Sequence, residues 1–315
     1  MSEEIITSNH WLVITNPTSG KRKFQEQGKY VLSELDKAHI PYIYKLTEYS
    51  GHTIEIAKSY ARRGCLNYLV LGGDGSVSEV INGIFAAEPD DTSKIKIALI
   101  PRGTGNDWGR FWGLRKNNKE SIKIFRKGNC KLIDIGKIDF IEDNNQSESH
   151  YFINSVGFGL DAEVVEITHR MKKYIGSFSL LYTLALLLAV FRYKPTPTQL
   201  TINGKSREVK LFTMNIANGP FSGGGIKQNP YALPYDGTFD MIVVEKPTVR
   251  DILTALPLIF NGKLTQHPVI QSFQAKEIWI KTKNEILIEA DGIIVPDGHN
   301  SRVSIIPEAI QMIVP

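Results

Sequence analysis

Over its first 110 residues the chain alternates short β-branched apolar runs with helical patterns, and this rhythm leaves very few folds open to it. The runs at 11–14, 42–46, 67–71 and 95–100 each end in turn-forming residues. Between them, 24–38, 53–63 and 76–87 carry apolar residues at helical spacing; Tyr30, Val31 and Leu35 mark the first of these. Pro41 separates the first helix from the second strand, and Gly64 leads the second helix into the third strand. Strand, helix, strand repeated in this way implies a parallel sheet with right-handed crossovers. Such a sheet gathers the loops that follow its strands along one edge, where ligands bind.

Three loops are expected at that edge: 16–21, 72–76 and 101–107. In the middle one, Leu69-Val70-Leu71-Gly72-Gly73-Asp74-Gly75-Ser76, an apolar run stops in glycines around one carboxylate and then enters a helical pattern. Glycines let backbone amides approach an anion, and a helix start adds free N–H groups and a positive dipole end. Asp74 does not suit a phosphate directly. An acid beside a polyphosphate needs a cation between them or a proton to accept, and both point to Mg²⁺-dependent phosphoryl transfer. Taken alone, Gly-Gly-Asp-Gly reads equally as a strand-to-helix turn with Asp as cap. The third loop, Pro101-Arg102-Gly103-Thr104-Gly105-Asn106-Asp107, again joins glycines to a hydroxyl, an amide and a carboxylate, with Arg102 and Arg110 suited to phosphate oxygens.

Charge narrows the ligand class. Lys and Arg number 37 against 33 Asp and Glu, a net +4 that is mild for 315 residues and argues against a nucleic-acid protein. It is compatible with small anionic ligands or an anionic membrane surface. Cys65 and Cys130 lack partners at zinc spacing, and Met1-Ser2-Glu3-Glu4 lacks the basic-then-apolar order of a signal peptide. The expectation is a reduced, cytoplasmic protein.

Beyond residue 134 the pattern changes to short alternating segments at 135–140, 151–156, 199–202, 208–217, 238–244, 273–281 and 285–290, which reads as an antiparallel sandwich. A helical pattern at 161–193 interrupts them, and 141–150, with Glu142, Asp143, Asn144, Asn145 and Gln146, reads as a solvated hairpin loop or a disordered turn. The uncharged stretch 174–191 would measure roughly 27 Å as a helix, just short of a ~30 Å hydrocarbon core. Three readings stand for it: a membrane span, a core helix, or a helix with one face available to lipid. Arg170, Lys172 and Lys173 before it and Arg192 and Lys194 after it favour anionic headgroups.

Several segments together resemble the bacterial diacylglycerol kinase-like lipid kinases, related to sphingosine kinases and more distantly to NAD kinases and phosphofructokinases. These are Asn16-Pro17-x-Ser19-Gly20, Gly72-Gly73-Asp74-Gly75-Ser76 and Pro101-x-Gly103-Thr104-x-Asn106-Asp107 in the first half. Asn154-x-x-Gly157-x-Gly159-x-Asp161-Ala162, Ala217-Asn218-Gly219 with Gly223-Gly224-Gly225, and Asp236-Gly237-x-x-Asp240 follow in the family's order. The resemblance implies an α/β N-terminal domain with a Rossmann-like parallel sheet over 1–134, to which 295–315 returns, and a C-terminal antiparallel β-sandwich lipid domain over 135–294, with a cleft between them. It implies ATP surrounded by Asn16, Ser19, Gly20, Thr47, Gly72, Gly73, Gly75, Ser76, Glu79, Gly103, Thr104 and Asn106. Arg102 would offset charge on the transferred group, and Asp74, Asp107 and Asp134 would act near Mg²⁺ and the γ-phosphate. The acceptor would be the hydroxyl of a membrane-borne lipid such as diacylglycerol; a sphingoid base or a polyprenol presents the same chemistry.

The resemblance also implies a structural Mg²⁺ held by paired aspartates. Here Asp236 is preceded by Tyr235, where relatives often have a second acid. In Glu289-Ala290-Asp291-Gly292-Ile293, Ile293 stands where relatives commonly carry Glu near the substrate hydroxyl. Either Asp74 serves alone as base or the chain has lost or changed its activity. Two alternatives to a lipid kinase follow: a soluble NAD kinase-like or sugar kinase-like enzyme, and a nucleotide- or lipid-binding regulator without turnover. Sheet edges in the second half offer a route to a homodimer.

Overall fold

The computed structural model describes residues 7–17, 24–103, 105–141, 147–175 and 181–315, which fall into two compact units, Met1–Ile133 with Glu308–Pro315 and Asp134–Pro307. In the first unit β1 (Trp11–Thr15), α1 (Phe24–Lys37), β2 (Tyr42–Leu46), α2 (His52–Arg62), β3 (Asn67–Gly72), α3 (Asp74–Phe85) and β4 (Lys96–Pro101) alternate, and α4 (Asp107–Phe111) and α5 (Asn118–Lys127) follow. The strands lie in the order β2, β1, β3, β4, every neighbouring pair parallel. All six residues of β3 are buried, as expected for a central parallel strand with both faces covered. Gln311 and Met312 add a further parallel pairing to β4 from the end of the chain.

Register sets the site. Thr15 lies opposite both Leu46 and Leu71, and Gly72 opposite Pro101, so all four strands finish level and their following loops start side by side. The third helix begins at Asp74, two residues before the expected start at 76, which makes the carboxylate part of the helix's first turn. Helix α5 was not among the expected segments, although Ile122, Ile124 and Phe125 give it a buried apolar face. Asn117 caps it by accepting from Lys119 and Glu120, and Gly128 at φ 69 ends it.

The second unit receives β5 (Cys130–Ile141) and contains β6 (Ser147–Phe152), β7 (Ser155–Gly159), α6 (Leu160–Ile175), α7 (Leu181–Arg192), β8 (Thr196–Ile202), β9 (Lys205–Ala217), β10 (Phe239–Glu245), α8 (Val249–Asn261), β11 (Ile270–Ala275), β12 (Glu277–Ala290) and most of β13 (Ile293–Ile313). Its pairings are antiparallel, running β11, β10, β9, β7, β12, β13, with β8 against β9 and β12 and β5 against β6. Phe152, Phe158, Phe239, Ile278 and Ile288 lie in its main core. A second core, with Val164, Leu186, Val190, Phe212 and Val244, joins α6, α7 and the sheet.

Four expectations are corrected here. The segment 151–156 is two strands, because the peptide N–H groups of Ile153, Asn154 and Ser155 turn to one carboxylate, that of Asp291. The segment 273–281 is likewise two strands, and its second half continues through 285–290 as β12. The helical pattern at 161–193 is two helices, α6 and α7, separated by residues outside the described set. The segment 141–150, read as a loop, is strand at both ends, with β5 reaching Ile141 and β6 beginning at Ser147, and no helix of the described residues is long and apolar enough to cross a membrane. Strand β13 and helix α8 were not among the expected segments.

Candidate active site

The loop after β3 and the loop after β4 are pressed together glycine to glycine. A Cβ built on Gly73 would lie 2.9 Å from Gly103 Cα, and one on Gly103 would lie 2.8 Å from Gly73 Cα. The Arg102 N–H donates to Gly72 O at 2.7 Å, and the Ser76 side chain folds over Gly72, where a Cβ would meet its Oγ at 2.4 Å. These glycines are therefore required by contact rather than by unusual backbone angles.

Asp74 bridges the two loops. Its Oδ2 accepts from the Asp107 N–H at 2.7 Å and its Oδ1 from the Trp108 N–H at 3.0 Å, so it caps α4 rather than its own helix. The cap reading of Asp74 therefore holds, with α4 as the helix it caps. Asp107 is buried, with Arg110 Nε 3.7 Å from its Oδ1, and Trp108 is completely buried. Asn106 is left-handed at φ 50 and donates from Nδ2 to Gly103 O at 2.7 Å. Its Oδ1 is buried with no hydrogen-bond partner, an acceptor aimed at the glycine contact. Arg102 donates to Asn118 Oδ1 at 3.3 Å, and burial lowers its pKa.

Of the remaining expected residues, Thr47 is buried and its N–H donates to Thr15 O, which sets Thr47 and Asn16 at neighbouring strand ends. Gly75 has open space where a side chain would stand, and Glu79 is partly buried further along α3. Ser19, Gly20 and Thr104 lie outside the described residues.

Asp134 and Asp236 belong to the second unit. Asp134 Oδ2 accepts from the Gly237 N–H at 2.7 Å, and its carbonyl accepts from Asn218 Nδ2 at 2.9 Å, so it fastens the 234–238 turn. Asp236 Oδ1 accepts from the Thr238 N–H and Oγ1, both at 3.0 Å. Nearby Asp240 keeps a buried Oδ2 without a partner, and its pKa is raised by burial and then by the charge of Asp236. Among the described residues no group of three or more His, Cys, Asp or Glu converges as a metal site.

Two residues of this unit were missed as candidates. Asp291, at φ 50 in the turn between β12 and β13, accepts from the N–H groups of Ile153 (2.8 Å), Asn154 (2.8 Å) and Ser155 (3.3 Å). The Asp-Gly pair at a strand end was its only signal. Glu289 is wholly buried on β12 and accepts from the Gly292 N–H at 2.8 Å. It converges with Asp161 over Gly157, where a Cβ would stand 2.5 Å from Asp161 Oδ2 and 2.7 Å from Glu289 Oε1. Asn215 Nδ2 donates to Asp161 Oδ2 at 2.7 Å. Burial first, and Asp161 second, hold the Glu289 carboxyl well above its ordinary pKa.

A parallel sheet carrying glycine loops clasped around a carboxylate at the ends of its strands, followed by an antiparallel β unit, defines a two-domain phosphoryl-transfer protein. Residues 10–138 match the diacylglycerol kinase catalytic domain, and 154–314 match the YegS C-terminal NAD kinase beta sandwich-like domain. The chain is 31% identical over 297 residues to a Bacillus subtilis protein named "Putative lipid kinase YtlR", covering 91% of this chain and 94% of that one. It is 31% identical to a Staphylococcus saprophyticus diacylglycerol kinase, covering 89% and 87% of the two chains. A Bacillus anthracis crystal structure described as a "putative diacylglycerol kinase" superposes with a TM-score of 0.77 at 25% identity, covering 98% and 97%. Yeast NADH kinase shares the fold alone, at a TM-score of 0.58 and 13% identity. The chain belongs to the diacylglycerol kinase family of ATP-dependent lipid kinases.

Proposed function

We propose that the chain transfers the γ-phosphoryl group of ATP to the hydroxyl of a membrane-borne lipid such as diacylglycerol, with Asp74 as the residue that receives or orients the hydroxyl proton. The observation that carries this reading is the suspension of the Asp74 carboxylate, by two consecutive peptide N–H groups, at the junction of two glycine loops. In phosphoryl transfer little covalent work falls to the protein, and positioning with charge neutralisation dominates. Gly75 and Gly103, both partly exposed, would offer backbone amides to phosphate oxygens, while Gly72 and Gly73 let the two loops close on each other. Ser76 and Asn106 supply polar side chains for the nucleotide, together with Asn16, Thr47 and Glu79 at the same sheet edge, and Arg102 offsets charge on the transferred group.

Mg²⁺ is part of this proposal. The orphaned, buried Asp240 Oδ2 beside Asp236 fits a hard cation with oxygen ligands, so these two aspartates would hold a structural ion. Asp74 and Asp107 are the carboxylates of the first unit that would attend the nucleotide's own Mg²⁺, whose chemistry is to neutralise charge on the phosphates. Peripheral attachment to a membrane is supported by the apolar side chains left exposed on α7 and α8 beside Arg192, Lys194, Arg250 and Lys263.

The test is turnover of vesicle-borne diacylglycerol with labelled ATP. Asp74→Asn in folded protein is expected to lower kcat by about 10²–10⁴-fold, the usual worth of a general base; full activity ends the assignment. Ile293 favours a second reading, a regulator that binds nucleotide without turnover. Tight ATP binding with no product, unchanged by Ile293→Glu, would establish that reading in its place.

A further inference from the structure

The mild overall charge conceals one concentrated basic stretch in the first unit. Between Arg115 and Lys131 there are seven Lys or Arg residues and a single acid, Glu120, a net +6, so the rest of a chain that totals +4 carries −2. Helix α5 forms the middle of this stretch. Its apolar residues Ile122, Ile124 and Phe125 are buried, with Phe125 edge-on to Trp11 of β1 at 4.7 Å, which leaves Lys119, Lys123, Arg126 and Lys127 as an exposed row on the opposite face. Among the described residues none of these four makes an ion pair.

Helix stability does not account for the row. Arg126 and Lys127 suit the C-terminal turn, but Lys119 lies in the first turn, where the helix dipole disfavours a cation. Lys119, Lys123 and Lys127 are also spaced four apart, so each meets a like charge one turn away, an arrangement that costs helix stability. The position of the row is fixed at its start. Arg102 Nη2 donates to Asn118 Oδ1 at 3.3 Å, which ties the first residue of α5 to the loop after β4, the loop that is pressed on Gly73 and carries Asn106. From there the row runs away from the loop for the length of the helix, about 14 Å at 1.5 Å per residue.

We infer that the exposed row of α5 is an electrostatic guide for the nucleotide: it raises the rate at which anionic ATP reaches the loops after β3 and β4 and does not touch it once bound. This rests on the lipid-kinase reading for the identity of the nucleotide, though not for its test. ATP is a polyanion, and clustered surface charges of opposite sign raise association rates by about 10–10³-fold. Their reach is set by screening, about 30 Å at 0.01 M salt and about 8 Å at physiological ionic strength, so the whole row acts in dilute buffer and chiefly its first turn in the cell. A bilayer is the other anionic partner that such a row suits. The nucleotide is favoured because the row begins at the loop that Arg102 anchors, and because every apolar residue of α5 is turned into the core, which leaves none on this face to enter a membrane.

The experiment is stopped-flow association of the fluorescent nucleotide mant-ATP with the full chain, compared with a variant that combines Lys119→Gln, Lys123→Gln, Arg126→Gln and Lys127→Gln, with thermal melting to confirm folding. The association rate constant is expected to fall about tenfold at about 0.01 M salt and by less than about twofold at about 0.5 M, with the dissociation rate constant unchanged. Uncharged mant-adenosine should bind both proteins alike. Should the combined variant not fold, Lys123→Gln alone is expected to slow mant-ATP by about twofold at low salt. Equal association rates at low salt overturn the inference; so does a loss that persists at high salt, an equal loss for mant-adenosine, or a wild-type chain that binds no mant-ATP. A variant that loses binding to phosphatidylglycerol vesicles while keeping the wild-type mant-ATP rate assigns the row to a bilayer and likewise overturns it. Because no lipid turnover is read, a chain that guides mant-ATP in this pattern yet phosphorylates no lipid leaves the guide standing and sinks the kinase reading.

Discussion

Gly103→Ala tests whether the two glycine loops form one mechanical unit. Gly73 has φ −112 and Gly103 is not among the positive-φ residues, so alanine is compatible with the backbone at both positions and the effect of substitution isolates contact. The new Cβ would stand 2.8 Å from Gly73 Cα, against about 3.5–4.0 Å for relaxed carbon contacts. The loops must then part by about 0.7–1.2 Å, the shortfall from that contact range. Asp74 spans them through bonds of 2.7 and 3.0 Å, and a displacement of that size brings both to the edge of hydrogen-bond range or past it. Overpacking of this kind costs about 1–3 kcal/mol of stability, while a ~1 Å misplacement of reacting groups costs about 10²-fold in rate. Urea unfolding and kcat for lipid phosphorylation, measured on the same preparation, separate the two effects. A folded Gly103→Ala enzyme with wild-type kcat would refute the reasoning, because it would show that Asp74 does its work without the clasp.

Gly75→Ala should behave in the opposite way. Nothing stands within 4 Å of its Cβ position, so stability should rise by about 0.5–1 kcal/mol from helix propensity, and any weaker ATP binding then reports nucleotide in that open space. Asp291→Ala should destabilise by about 2–4 kcal/mol, since it leaves three peptide N–H groups without their acceptor; Asn, which tolerates the left-handed turn, should recover part of this in the urea midpoint. Glu289→Gln should flatten the pH dependence of stability. A folded-state pKa held above the usual 4.5 means that the native protein binds the extra proton, so this contribution is fully present below pH 4.5 and is lost as pH rises through the folded value. The variant should therefore gain on wild type toward alkaline pH, and parallel unfolding curves across that window would exclude a buried acid.

How much of this was legible in sequence depended on whether the cause was local. The βα rhythm, the level strand ends and the grouping of Gly72–Ser76 with Arg102–Asp107 follow from periodicity and turn chemistry, because a parallel sheet sends successive loops to one edge. The pairing of Asp74 with the Asp107 and Trp108 amides lies 33 and 34 residues away in sequence, and no spacing rule reaches it. The convergence of Glu289 with Asp161 is further still from local rules. An alternating strand labels Glu289 as facing away from Ile288, but only the arrival of α6 on that face turns a solvated acid into a buried one. Helix α8 and strand β13 were missed altogether: Pro257 lies inside α8, and β13 runs through both Pro296 and Pro307.

The turn that carries Ile293 shows why a lost carboxylate there need not cost the fold. Asp291 fixes the turn to the β6–β7 junction through three amides, Gly292 takes φ 79, and the Gly292 N–H donates to Glu289. Each of these contacts is made by a residue other than 293. The side chain at 293 is thus free to differ in chemistry while the turn keeps its shape. In a reaction governed by positioning and charge neutralisation, the proposed mechanism then rests chiefly on the clasp around Asp74. The same device, a carboxylate accepting from consecutive peptide N–H groups, serves both places. At Asp291 it joins strands, whereas at Asp74 it joins the loops after β3 and β4, where the proposed mechanism would bring a substrate hydroxyl.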